Sequence, residues 1–209
     1  MASKSRIPAA AKSTGLLQGG KRQRTRTQLI EAAKEMIREK GYHAVSLEEV
    51  AMRAGMSRGA IYGNFKDRED LIVAVVETLW QPVVPKLQLG ASFKEQMRIV
   101  GKAVAEAAKS RRPMAVGAAS FQLYALSNEH MRERIAKENA EIYRQLAKGL
   151  VKYIPAGELP MAANKFVRVM HALTDGLMFE HFMAPELITE EVIVSAFVAL
   201  AGGEKAGLR

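Results

Sequence analysis

"SLEEVAMRAGMSRGAIYGNFKDRED", residues 46–70, reads as two short helices joined by a tight turn. Ser46 with Glu49 makes a capping box, and Leu47, Val50, Ala51 and Ala54 form the buried stripe of a first helix that Gly55 stops. Ser57 caps a second helix that reaches about Phe65. Ala51 is small where the two helices cross. Gly55 supplies the left-handed backbone that turns the chain, and Ile61 packs the second helix onto the first. That spacing leaves Ser57, Arg58, Gly59, Tyr62, Gly63 and Asn64 facing outward. Glycines let a backbone approach another surface, and the polar set offers donors to phosphates and base edges. A DNA major groove is wide enough to admit such a helix.

Working outward, Thr25 and Gln28 make another capping box. Leu29, Ala33, Met36 and Ile37 then follow the spacing of one buried helix face, which Gly41 ends. Asp67 with Asp70 starts a fourth helix through Leu71, Val75 and Leu79 to Trp80, before Pro82 and Pro85 interrupt. The first 20 residues are rich in Ala, Ser, Lys and Gly and read as flexible. Beyond the prolines, "SFKEQMRIVGKAVAEAAKS", "RPMAVGAASFQLYAL", "NEHMRERIAKENAEIYRQLAKGLVKYI", "PMAANKFVRVMHALTDGLMFEHFM" and "TEEVIVSAFVALAGG" all read as helices. Met131, Ile135, Ile142, Leu146 and Leu150 form the apolar side of the long third one. No stretch alternates with period two, so the fold class is all-α.

The chain has 209 residues, 48% hydrophobic and 25% charged, enough for one large domain or two small ones with a real core. It has no cysteine, which excludes disulfides and thiolate chemistry and points to a reducing cytoplasm. No apolar run approaches the roughly 20 residues of a bilayer span, and the basic N-terminus lacks the apolar core of a secretory signal, so no membrane partner is expected. The formal charge is +9, unevenly placed: residues 1–68 carry 14 Lys or Arg against 6 Asp or Glu, and the remainder carries 17 against 16. Through Arg26 the chain has Lys4, Arg6, Lys12, Lys21, Arg22, Arg24 and no acid. Such asymmetry favours a polyanion-binding N-terminal module.

Taken together, residues 25–71 resemble the DNA-binding domain of the TetR (tetracycline-repressor) family of bacterial transcriptional regulators. The matching residues are Thr25-Arg26, Ala32-Ala33, Gly41-Tyr42, Ser46, Val50-Ala51, Ala54-Gly55, Ser57, Gly59, Tyr62, Phe65-Lys66 and Leu71. The long basic arm before Thr25 departs from the family pattern, as does Met36-Ile37 where a Leu-Phe pair is common. The resemblance implies three parts: a flexible basic arm over 1–24, a helix-turn-helix domain over 25–71, and a ligand-binding and dimerisation domain over 72–209. It implies that Ser46, Tyr62 and Lys66 contact phosphates. Arg58, Gly59, Gly63 and Asn64 are then the candidates to read base edges, with Ser57 beside them and Arg53 and Thr27 as further phosphate contacts. Arg58 suits guanine and Asn64 suits adenine. The partners implied are a palindromic double-stranded operator, a small-molecule effector that releases a repressor from it, and a second copy of the chain.

From Val192 to Ala201 only Ser195 is polar, so this segment must be buried nearly all round. A second subunit would bury it, with Val192, Ala196, Phe197, Ala199 and Leu200 at the interface and the alanines permitting close approach; the alternative is a central helix within one subunit. Met97, Phe121, Tyr124, Met170, Met178 and Phe179 are candidates to line an apolar ligand cavity, methionine adapting to varied shapes. Stripes of this kind are more often plain core. His171 and Asp175 share a helix face that a polar ligand could use, but no third ligand follows them, so no metal is expected. No phosphate-cradling glycine loop, nucleophile elbow or zinc spacing occurs, which argues against an enzyme and for no cofactor beyond the unknown effector. The rival reading is an architectural DNA-binding protein of the same fold without a ligand switch.

Overall fold

The computed structural model describes residues 20–79 and 83–202. Among them are nine α-helices and no strand. They are α1 (Gly20–Lys40), α2 (Leu47–Arg53), α3 (Arg58–Tyr62), α4 (Arg68–Leu79), α5 (Phe93–Arg111), α6 (Ala115–Ser127), α7 (Glu129–Leu150), α8 (Ala163–Met183) and α9 (Glu190–Ala199). Short 3-10 turns at Tyr42–Ala44, Arg112–Met114 and Ala156–Glu158 connect some of them. No described helix is long and apolar enough to cross a membrane.

The described chain divides into two compact units, and the division is not linear. One unit joins residues 20–79 to 116–134, so α6 and the start of α7 belong with α1 to α4. The other joins 83–115 to 135–202. The expected split of 25–71 from 72–209 therefore misses the return of α6 to the N-terminal unit, a tertiary contact that no local pattern encodes.

In the N-terminal unit the core is built from the predicted stripes. Leu29, Ala33 and Met36 of α1 meet Val50 and Ala51 of α2, Ile61 of α3, Phe65, and Leu71 and Val75 of α4. The caps expected at Ser46 and Ser57 form: each hydroxyl oxygen accepts a backbone N–H three residues on, from Glu49 and Ala60, both at 3.2 Å. The box expected at Thr25 does not. Helix α1 already begins at Gly20, so Thr25 sits inside it. Lys, Arg and Gln at 21–24 are good helix formers, and nothing at Thr25 forces a start. Residues 20–24 are thus helical, and the rest of the expected flexible arm lies outside the described residues.

In the other unit, α5 packs along α9 and against α8. Gly101 sits at the α5–α9 crossing, where an added Cβ would lie 2.8 Å from the Val194 Cα. This close approach buries Ile193 and Phe197 of α9 completely, both at 0% exposure. Phe197 therefore faces α5 within its own subunit and is not available to a partner. The helix is two-faced: Val192 and Ala199 are exposed and Ala196 and Leu200 half-buried on its other sides. Both faces are apolar, which is why the sequence reads as buried all round. Ser92 and Thr189 cap α5 and α9, and Lys109 pairs with Glu190 at 2.7 Å across them. Gln96 is fully buried, its side-chain amide bonded to both the N–H and the carbonyl of Gln88, which straps down the 83–91 segment.

The apolar side of α7 is only partly covered. Met131 and Leu150 are buried, whereas Ile142 and Leu146 are exposed. Their stripe lies uncovered within the subunit, as does Val169 of α8.

The α5–α9 crossing generates a direct test. Gly101→Ala should destabilise the protein by about 1–3 kcal/mol, because the new methyl group meets backbone that cannot rotate away. The measurement is the urea midpoint, which should fall with little change in m.

Candidate nucleic-acid interface

A helix of five residues has too few internal hydrogen bonds to persist alone, so α3 must be held from outside. Its N-terminus is fixed by the turn from α2. Gly55 adopts φ 65°, the Met56 N–H bonds back to the Ala51 carbonyl at 2.8 Å, and the Gly55 N–H bonds to the Met52 carbonyl at 3.0 Å. These are the paired bonds of a Schellman ending, which requires a left-handed residue where Gly55 stands. Ser57 caps α3, and Ile61 anchors its inner face at 0% exposure.

The other end is held by two arginines of α1. Arg22 donates to the Gly63 carbonyl at 2.9 Å, and Arg26 donates to the Asn64 carbonyl at 2.8 Å. Arg26 also lies over the Phe65 ring, 4.4 Å from its centroid. One turn apart on α1, the two guanidiniums satisfy carbonyls at the end of α3 that have no helical partner, and they place positive charge at the negative end of its dipole. In the sequence both arginines stand in a basic stretch, which suggests a polyanion contact and not this clamp. The available signal was their i, i+4 spacing just before a buried stripe.

The outward set is then sorted by its hydrogen bonds. Ser57, Arg58, Gly59, Tyr62 and Gly63 are all exposed, as predicted. Ser46 and Ser57 use their oxygens as caps and keep a hydroxyl proton to donate. Lys66 is exposed just beyond α3. It precedes α4: Asp67 caps that helix by accepting from the Asp70 N–H at 2.7 Å, and Asp70 accepts from the Lys66 N–H.

Three candidates are otherwise engaged. The Asn64 amide donates back to the Ala60 carbonyl at 2.8 Å, so it turns along α3 rather than outward. Arg53 is held bidentately by Glu39, at 2.8 and 2.7 Å. That hydrogen bond keeps the Glu39 carboxyl below the usual carboxylate range. The Thr27 hydroxyl donates to the Gln23 carbonyl at 3.0 Å.

Glu48, not expected on this surface, completes it. Its Oε1 accepts from the Tyr62 hydroxyl at 2.5 Å. That bond above all, then its own backbone N–H and the charge of Arg58, holds the carboxyl below its usual range, so it is ionised at neutral pH. The same bond pushes the Tyr62 hydroxyl up.

Behind the face, Arg68 organises the start of α4. It donates to the carbonyls of Tyr42 and Val45 and, at 2.6 Å, to the hydroxyl of Tyr124 in α6. Tyr124 is stacked on Tyr42, with ring centroids 5.6 Å apart, and Phe121 lies against the same ring. Asn128 donates to the Tyr124 hydroxyl as well. Tyr124 and Phe121 are thus packed within the N-terminal unit and do not share a unit with the other cavity candidates. Of those, Met97 and Met178 are buried core, and Met170 and Phe179 are half-buried. His171 lies 3.0 Å from the Tyr143 hydroxyl and 3.8 Å from Asp175. Among the described residues no group of three metal-binding side chains occurs.

Residues 29–75, which span α2, α3 and most of α1 and α4, match the model for bacterial regulatory proteins of the tetR family. Over those residues the chain resembles the tetR family. The fatty acid metabolism regulator protein of Bacillus subtilis (strain 168) is 31% identical over 77 residues, which is 35% of this chain and 40% of that one. The HTH-type transcriptional regulator BetI of Yersinia pestis (strain Pestoides F) is 28% identical over 183 residues, 78% of this chain and 86% of that one. A solved SmeT–triclosan complex has the same fold, with TM-score 0.60 and 18% identity over 85% of this chain and 91% of that one. The chain spans between 26% and 40% of the length of the first curated relatives it matches.

In this helix-turn-helix module the α1 clamp is the least expected element and the easiest to test. Arg26→Ala should lower stability by about 1–2 kcal/mol, from the lost carbonyl contact and the lost ring contact together. Arg26→Lys should recover part of that loss. Amide hydrogen exchange should show the protection of residues 61–65 falling more than that of α5.

Proposed function

We propose that the protein is a tetR-type transcriptional regulator that reads a palindromic operator as a homodimer and is released from it by a small apolar ligand. What carries this reading is α3: a helix clamped at both ends that presents Ser57, Arg58, Gly59, Tyr62 and Gly63 to solvent, beside an exposed lysine. In that arrangement Ser46, Tyr62 and Lys66 donate to phosphates, and Arg58 reaches a base edge, its five N–H donors suited to guanine O6 and N7. An added Cβ at Gly59 would meet only the Ser57 Oγ, at 3.8 Å, so no neighbouring element covers the backbone there and it can approach the groove. Occupancy of an operator by such a dimer blocks other proteins from it, which is repression.

Dimerisation is supported by the uncovered apolar side chains of the second unit: Ile142 and Leu146 of α7, Val169 of α8 and Val192 of α9. A second copy supplies the matching surface in a two-fold pair. Two copies of α3 then reach half-sites one helical turn apart, roughly 34–36 Å. The SmeT structure was solved with triclosan, and we assign an apolar effector of this chain to the same helical unit, where Met97, Met170, Met178 and Phe179 lie.

Selection from random duplex DNA should return a two-fold palindrome, and its affinity should fall steeply with salt. Lys66→Ala should weaken all sequences alike and reduce the salt slope by about 1, whereas Arg58→Ala should relax one position per half-site by about 1–3 kcal/mol. Tight binding without sequence preference would mark an architectural protein instead.

The interface has its own test. Val192→Glu should convert the dimer to monomers on a sizing column while leaving the melting of the isolated subunit nearly unchanged, since Val192 is exposed in it. A dimer that survives the charge would place the interface elsewhere.

A further inference from the structure

Glu48 is an anomaly on a surface that is to meet phosphates. It stands in the first turn of α2, exposed, with its carboxylate bonded to Tyr62. With Arg58, Met52 and Met56 it lines a depression of about 360 Å³ where α2 meets α3. It is therefore central to the candidate reading face, next to two of the residues assigned to DNA.

Stability does not require a carboxylate there. Ser46 and Glu49 already serve the N-terminus of α2, and a phenol–carboxylate bond in open water competes with solvent. Towards DNA an exposed negative charge is unfavourable, because it opposes the phosphates of every sequence. A group that weakens binding to all sequences is useful only if it gains from particular ones. An ionised carboxylate accepts hydrogen bonds and donates none. In the major groove the only base donors are the N4 amine of cytosine and the N6 amine of adenine, and guanine and thymine present acceptors that repel it. Adenine also presents the N7 acceptor beside its amine, which leaves cytosine as the better partner.

We infer that Glu48 is a specificity-determining residue that accepts a hydrogen bond from a base amine, cytosine N4 foremost, and that Tyr62 masks it in the free protein. On binding, the Tyr62 hydroxyl turns from Glu48 to a backbone phosphate oxygen, and the carboxylate takes the amine. The exchange balances: the phenol keeps an acceptor, the carboxylate keeps a donor, and no buried charge is left alone. The inference rests on the DNA-reading function proposed above and deepens it.

The test is site selection with the full-length protein and its Glu48→Ala, Glu48→Gln and Tyr62→Phe variants, followed by affinity for the selected and an unrelated duplex. Glu48→Ala should lose its preference at one position per half-site, roughly fivefold or more, while binding the unrelated duplex more tightly. Glu48→Gln should move that position towards adenine, because a glutamine amide pairs with both N6 and N7. Tyr62→Phe should weaken all duplexes alike and keep the preference. If the wild type selects a site and both Glu48 variants select the same one with equal preference, the inference fails and the function stands. If the wild type prefers no sequence, both fail.

Discussion

The N-terminal module depends on one constraint: a five-residue helix must be rigid although its own hydrogen bonds cannot make it so. The chain meets this from three directions. The left-handed turn at Gly55 sets where α3 begins, Ile61 sets which side faces the core, and Arg22 and Arg26 hold the carbonyls where it ends. Because the inner face and both ends are fixed, the outer face beyond the Ser57 cap is free of structural duty. A surface ordered before it meets its partner loses less conformational entropy on binding, which favours tight and selective recognition.

The same clamp changes how the charge of the chain should be understood. The positive excess of residues 1–68 suggests a uniformly phosphate-seeking surface, yet much of it is engaged inside the module. Arg22 and Arg26 cap α3, Arg53 is held by Glu39, and Arg68 ties the Tyr42 turn to Tyr124. Arg58 and Lys66 remain exposed around α3. Net charge thus measures the long-range field of the module well and its contact residues poorly, since guanidinium groups are as good at satisfying carbonyls as phosphates.

The second unit solves a different problem with a different device. Its central contact is the approach of α5 to α9 over Gly101, where the absence of a side chain lets Phe197 reach full burial. The cost is a helix whose remaining apolar side has no cover within the subunit. That is why α9 reads as a wholly buried helix: one half of its surface is core, and the other half shows Val192 and Ala199 to solvent.

Local patterns were sufficient for much of this molecule. Periodicity and capping residues identify the nine helices of the described residues, and the spacing of Ala51, Gly55 and Ile61 identifies the helix-turn-helix, because caps, turns and amphipathic stripes are encoded within a few residues of where they act. The same logic picked out Ser57, Arg58, Gly59, Tyr62 and Gly63 as outward-facing. What it could not supply were pairings between distant residues. The clamp of Arg22 on α3 is invisible locally because its partner lies 41 residues away, and the direction of the Asn64 amide is too, because whether an amide turns to solvent or to its own helix is set by packing. Tyr124 read as a cavity residue until Arg68, 56 positions earlier, met its hydroxyl. Sequence alone determined the elements and the helix-turn-helix of this protein. Tertiary structure decided which of its arginines, tyrosines and phenylalanines work outward and which work within, because a side chain's role follows from the partner it meets and not from its chemical type.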